Sequence, residues 1–490
     1  MPPNRPDIVI FVADHYRGEA LGHMGNPAVH TPVLDRLVET DAVSFRNAFC
    51  QAGVCTPSRC SFMTGWYPHV RGHRTLFHML RDDEPMLLRT LKQAGYFVWW
   101  AGKNDVVPAQ HGFEKYCDVK YSPRVSRAAY SFWRRKRGPS DQPGFFSFLA
   151  GRLDGQGDAD GLYDHDWAMV LGAAEHIKAA AKARPLCIFL PLISPGGPFA
   201  VEEPFFSMID RSKVPLPVSR PDDRSGKPAM LRGIARNNRL SGWGEENFRE
   251  LRAVYYGMCS RLDHQLGLII EALKASGRYD ETAIFFFSDH AAYVGDYGVV
   301  DLSQNTFDDS LTRVPFLIKP PAGTPVRPGV RDALVELVDF PATVEDMLQL
   351  EPRHTHFGRS LLPVIAGRTD EHRDAVFAEG GRLHGERHCM ELEYAPGHQD
   401  PTDIWYPRLI LQAGEGGEHG KAVMCRTARH KYVRRLYEQD ELYDLAEDPM
   451  ELNNRIGDPA MRPVLAEMKD RLLKFFVETC DAVPHDTDRR

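Results

Sequence analysis

No stretch of about 18 consecutive apolar residues occurs in the chain, so no segment is a candidate for a membrane-spanning helix. A basic excess is also missing: 60 Lys and Arg stand against 67 Asp and Glu, a net charge of −7. That balance gives no electrostatic case for nucleic acid or an anionic membrane surface. The single basic run, Arg134–Arg137, reads as a solvated loop. Cysteine is sparse, and nine scattered residues do not make a disulfide framework. A reducing, cytoplasmic location is the expectation. The opening residues lead directly into Ile8–Val12, a run too short for the core of a secretory leader and without a small-residue cleavage site.

What is present is an ordinary globular composition, 43% apolar and 26% charged, over 490 residues. That length exceeds what one hydrophobic core fills, so two domains are expected. Short apolar runs at Asp7–Ala13, Tyr96–Ala101, Leu186–Leu192, Ala283–Ser288 and Val314–Lys319 read as strands. Helical patterns separate them, at Glu84–Ala94, Asp164–Ala183 and Glu246–Ala275, and Thr31-Pro32 reads as an N-cap followed by an N1 proline. This alternation predicts an α/β domain over residues 1–366, with a mainly parallel mixed sheet sandwiched by helices. Shorter strand-like pieces and a terminal helix near Pro459–Val477 predict a smaller α+β domain over residues 367–490. The glycine-rich Gly414–Gly420 stretch fails as a phosphate-binding loop, because Glu415 and Ala422 stand at defining positions, and reads as a hairpin connection.

The chemistry-bearing residues gather where strands end. Asp14-His15 follows the first strand and Asp289-His290 follows Ile284–Ser288, and open α/β sheets place ligands at that edge. A single Asp there is most simply a helix cap; two Asp-His pairs suggest more. Between them lies Cys55, before a Pro57-Ser58 step that can open a helix through Arg59–Thr64. A helix N-terminus and the Arg59 guanidinium both favour an anion beside residue 55. Position alone does not separate an activated thiolate from another nucleophile there.

The run Cys55-Thr-Pro-Ser-Arg-Cys-Ser-Phe-Met-Thr-Gly65 resembles the sulfatase signature C-x-P-S-R-x-x-x-x-T-G. Ala101-Gly-Lys103 resembles that family's G-K segment, Arg313-Val-Pro315 its R-V-P, and Glu441–Pro449 with Asn453-Asn454 its E-L-Y-D-L-x-x-D-P ending. The resemblance thus covers almost the whole chain and implies the alkaline-phosphatase-like form of the α/β fold. It also implies that a maturation enzyme oxidises Cys55 to formylglycine, the nucleophile, and that one divalent metal is bound. Asp14, Asp289, His290 and residue 55 are the implied metal ligands, with His15 a further candidate, while Arg59 and Lys103 steady the transferred group. Carboxylates suit Ca²⁺ best, and the imidazoles admit Mn²⁺ or Zn²⁺. The implied substrate is a small-molecule or saccharide sulfate ester.

The chain departs from the family pattern at several polar positions. Asp105 stands where a His is usual, Gly196 where Pro-His-x-Pro-Phe has its His, Leu302 where a Lys is usual, and His15 where a carboxylate or amide is usual. One lost oxyanion donor typically costs about 10²–10³ in rate. Either other residues compensate (His73, His78 and His111 are candidates), or the leaving group needs no acid, or the substrate differs. A phosphonate monoester or phosphodiester hydrolase is therefore the alternative enzyme, and a catalytically silent binding protein the alternative class. Specificity is expected in the loops Tyr67–Leu80, Asn104–Tyr116 and Ser194–Phe206 and in parts of the C-terminal domain, with Trp66, Phe77 and Phe199 able to stack on a ring but read first as core packing.

Overall fold

In the computed structural model, which describes residues 5–123, 139–154, 162–218, 226–394 and 399–485, β1 (Asp7–Ala13) is buried along its whole length. The basic run Arg134–Arg137 lies outside the described residues. Side chains of β1 divide by the two-residue period of a strand. Val9, Phe11 and Ala13 enter one apolar core, while Ile8, Ile10 and Val12 enter another on the opposite face. The same division runs along β8 (Thr282–Ser288), with Ile284 and Phe286 on the first side and Phe285 and Phe287 on the second. A strand covered on both faces must be apolar throughout, which is why these runs show no polar alternation.

Nine strands form one mixed sheet. β8, β1, β6 (Leu186–Pro191), β3 (Phe97–Ala101) and β4 (Val119–Tyr121) lie side by side and parallel. β10 (Phe316–Lys319) is antiparallel to both β8 and β2 (Val43–Phe49), and β11 (Gly329–Glu336) runs parallel to β2 at the edge. The run expected at Val314–Lys319 is broken by Pro315, which has no ladder N–H, so Arg313–Val314 pairs separately with β2 as β9. A small parallel pair, β5 (Leu149–Arg152) and β7 (Phe199–Val201), stands apart from the main sheet.

Helices cover both faces. α1 (Pro32–Thr40), α3 (His165–Ala179) and α4 (Glu245–Ala275) contribute Leu34, Ile177 and Leu262 to the first core. α2 (Cys55–Thr64) and α5 (Asp339–Met347) contribute Phe62 and Phe340 to the second. Pro32 occupies N1 of α1 as expected, but the Thr31 side chain does not cap that helix. Asp263 of α4 accepts from the Val33 and Leu34 amides instead, at 3.0 and 2.8 Å, joining the two helices. Among the described residues, no helix is long and apolar enough to cross a membrane.

Beyond residue 367, β12 (Val376–Gly380), β13 (Ala422–Arg426), β14 (His430–Arg435) and β15 (Glu441–Asp444) make a separate antiparallel sheet. α7 (Arg462–Thr479) lays Met468, Leu472 and Phe475 on it. The Gly414–Gly420 stretch is not a hairpin: it leads from α6 (Tyr406–Gln412) into β13, because α6 and its neighbours are inserted between the paired strands β12 and β13. That insertion carries α6 back toward the C-terminal edge of the main sheet.

Phe287 clamps α2 to the sheet, with its ring 5.0 Å from Phe62 and 5.1 Å from Phe340. Phe287→Ala is expected to lower unfolding free energy by about 3–5 kcal/mol in urea titrations; a loss below about 1 kcal/mol would mean the clamp is not there.

Candidate active site

Parallel pairing of β1 and β8 sets Ala13 opposite Ser288, so the next residue of each strand, Asp14 and Asp289, emerges at the same edge. Both are buried, at 1% and 0% exposure. α2 starts at Cys55 itself, two residues earlier than the Pro57-Ser58 step suggested, and Val54 provides no side-chain cap. At that end the Cys55 and Thr56 N–H groups lack intrahelical acceptors, and Pro57 has no N–H to leave unpaired. Ser58 Oγ donates to the Asp289 carbonyl at 2.5 Å and pins the helix start to the end of β8. One turn on, Arg59 is wholly buried, donating from Nε to Asp289 Oδ2 at 2.7 Å with Nη2 3.4 Å from Asp14 Oδ2. Lys103 follows the end of β3, its Nζ 2.5 Å from Asp14 Oδ2, 3.0 Å from Cys55 Sγ and 3.0 Å from Asp105 Oδ2.

Asp14, Cys55, Asp289 and His290 each bring a potential ligand atom to within 4.8 Å of the others. His290 Nδ1 lies 2.9 Å from the Ala291 carbonyl, so donation there leaves the Nε2 lone pair for the cluster. Nε2 is 3.4 Å from both Cys55 Sγ and Asp14 Oδ1. Asp14 Oδ1 is buried and accepts no hydrogen bond. An orphaned carboxylate oxygen among inward-facing acceptors is the pattern a hard cation satisfies, and this donor set fits a divalent metal. His15 stands beside the group, not within it: its ring meets that of His290 edge-on at 4.7 Å, and Nδ1 is 3.0 Å from Asp14 Oδ1.

The charges are strongly coupled to one another. Burial alone would raise the Asp14 pKa, but Lys103, His15 and Arg59 hold it well below the usual carboxylate range. Burial likewise works against the Lys103 ammonium, and Asp105 and Asp14 overcome it, leaving its pKa well above the ordinary value. The Cys55 thiol is pushed well up, by burial first and by Asp14 next. The surroundings thus favour cations and oppose a thiolate.

Cys55 opens into a cavity of about 410 Å³. Asp14, His15, Lys103 and Asp105 form its polar end, and Leu76, Phe77, Met79, Ile193, Leu302, Trp405 and Leu409 most of its walls. The departures from the family pattern collect here. A Cβ at residue 196 would meet His15 Nδ1 at 2.6 Å, so the imidazole of His15 fills the room that Gly196 leaves. His15 holds φ at +66° and Asp105 at +43°, left-handed conformations uncommon outside glycine and often found at functional sites. Leu302 adds an alkyl wall.

None of His73, His78 and His111 lines the cavity. His73 lies 2.9 Å from Glu84, His78 bonds Thr75, and His111 is exposed near Asp82. Trp66 and Phe199 are buried packing residues, whereas Phe77 is 41% exposed at the cavity mouth. The C-terminal domain does contribute to the lining, but Glu391, Trp405 and Arg408, which belong to the insertion between β12 and β13, carry no motif and were not singled out from the sequence.

Residues 6–350 match the family model described as Sulfatase. The chain belongs to the sulfatase family. That family comprises sulfuric ester hydrolases of the alkaline phosphatase superfamily. Related proteins include an ulvan-active sulfatase of Formosa agariphila, 25% identical over 480 residues, covering 98% of this chain and 82% of the relative. A choline-sulfatase of Rhizobium meliloti is 25% identical over 513 residues, covering 100% of this chain and 91% of the relative. Among solved structures, a phosphonate monoester hydrolase of Agrobacterium radiobacter superposes with a TM-score of 0.76 at 24% identity, covering 99% of this chain and 100% of that one, a likeness of fold. Within this sulfatase-family chain, the exchange of side-chain room between His15 and Gly196 has a measurable consequence. Gly196→Ala and His15→Ala are expected to be less than additive in unfolding free energy, by at least about 0.5 kcal/mol in a double-mutant cycle. Full additivity would mean the two positions do not share that space.

Proposed function

We infer that the protein hydrolyses a sulfate ester to an alcohol and inorganic sulfate, with residue 55, matured to formylglycine, as nucleophile. The observation that carries this reading is the convergence of Asp14, Cys55, Asp289 and His290 at the buried start of α2, in a chain whose family is sulfatase. Once oxidised, residue 55 offers a hydrated aldehyde oxygen toward sulfur. A divalent cation held by Asp14, Asp289, His290 and residue 55, with Ca²⁺ the best match to the carboxylates, supplies a compact double charge that stabilises negative charge there.

The chain's own residues do the remaining work. Arg59 keeps the two carboxylates fixed from behind. Lys103 Nζ, 3.0 Å from Sγ, donates to the oxygen of residue 55 and to the charge that develops beside it. The helix start adds backbone donors, and burial of the whole of α2 keeps water from competing with them. The alcohol portion lies against Leu76, Phe77, Ile193 and Trp405. Gly196 itself offers no proton to the departing alcohol, and the imidazole that occupies its place is that of His15.

A phosphonate monoester hydrolase is the second reading, favoured by Gly196 and Leu302 and by the name of the solved structure that superposes over 99% of the chain. Steady-state hydrolysis of matched aryl sulfate and aryl phosphonate esters, on protein co-expressed with a maturation enzyme, separates the two. Sulfate turnover is expected to be faster, to vanish in Cys55→Ala and after metal chelation, and to fall about 10²–10³-fold in Lys103→Ala. Faster phosphonate turnover would replace the sulfatase reading with the second one.

A further inference from the structure

Arg408, on α6, lines the cavity and is 4% exposed, yet its side chain makes no hydrogen bond. Nε and Nη1 are buried without partners. The nearest carboxylates stand too far off for good bonds, Asp301 Oδ1 at 3.7 Å from Nε and Glu391 Oε2 at 3.5 Å from Nη2. Both are engaged elsewhere: Asp301 Oδ1 accepts from the Leu302 amide, and Glu391 Oε2 from Gln412. Arg59, Arg261 and Arg382 each leave one buried nitrogen unpaired too, but all three, like Arg252, donate from other nitrogens to carboxylates or carbonyls, whereas Arg408 has two such orphans. A guanidinium carries five donors, and leaving them buried and unmade costs far more than an ordinary hydrogen bond returns.

The placement points to a ligand. Of the two cations lining the cavity, Lys103 is committed to Asp14 and Asp105, while Arg408 keeps free donors. Burial works against its charge, and Glu391 and Asp301 sustain it. Arg408, Lys103 and Cys55 line the same cavity, so the guanidinium and residue 55 share one enclosed space. Beside it, Leu302 contributes only carbon.

We propose that Arg408 receives a charged non-bridging oxygen of the group transferred at residue 55, its forked donors matching a tetrahedral oxyanion. The C-terminal insertion thereby contributes a substrate-contacting cation to a site otherwise built by the main sheet. The proposal leans on the sulfate-ester reading only for the identity of that anion, and its test is binding of inorganic sulfate to the metal-loaded protein, which requires no turnover. Arg408→Met is expected to weaken sulfate binding about tenfold or more in calorimetry, with Arg408→Lys recovering part of it. Glu391→Gln, which removes the competing carboxylate, is expected to tighten it and gives an answer even if Arg408→Met fails to fold. In turnover, Arg408→Met should lower kcat/KM for every ester whatever its alcohol. Unchanged sulfate binding in all three variants would overturn the proposal, as would a kinetic defect confined to esters whose alcohol bears a second anion. Sulfate binding that depends on Arg408 while no sulfate ester turns over would leave this proposal standing and remove the sulfatase reading.

Discussion

Two carboxylates buried at neighbouring strand ends repel one another and have lost the water that would screen them, so Asp14 and Asp289 need positive charge on several sides at once. Arg59 answers from beneath and Lys103 from the flank, and the unsatisfied Asp14 Oδ1 with the inward His290 Nε2 leaves room for a cation between them. Cys55 sits within this charge lattice, against both the carboxylates and the start of α2. The position of residue 55 and the grouping of the candidate metal donors thus follow from one electrostatic requirement.

The fold meets that requirement by parallel register. Because β1 and β8 pair residue for residue up to Ala13 and Ser288, the positions that follow are adjacent without any loop search. β3 ends beside them through β6, bringing Lys103 within reach. Phenylalanines on the second face then seat α2 so that Cys55 meets the strand ends. Chemistry at the edge rests on packing several residues away, which makes the core as consequential for function as the ligands.

How much of this was legible from residues follows from where each signal resides. β1, β3, β6 and β8 read clearly because two covered faces force uninterrupted apolar runs. β2, with Arg46 and Asn47 inside it, and the bulged β11 did not, since mixed faces and an irregular register blur the period. Residues 14, 55, 59, 289 and 290 could be picked out because strand ends and the Cys55 run are local patterns, and residue 103 only through the resemblance of Ala101-Gly-Lys103 to the family's G-K segment. The His15 and Gly196 exchange and the orphaned Arg408 could not: each depends on a contact between segments distant in sequence, and Arg408 arrives on a helix inserted between two paired strands. The Gly414–Gly420 stretch misled for the same reason, since strand pairing across a long insertion looks from the sequence like a short turn.

The most direct test of this account is calorimetric titration of Ca²⁺ into the metal-stripped protein and its Asp289→Asn variant. The account predicts one saturable site per chain in the first and its loss, or at least about a tenfold weakening, in the second. Equal binding by both proteins, or no binding by either, would contradict the claim that these buried carboxylates exist to hold a cation beside residue 55.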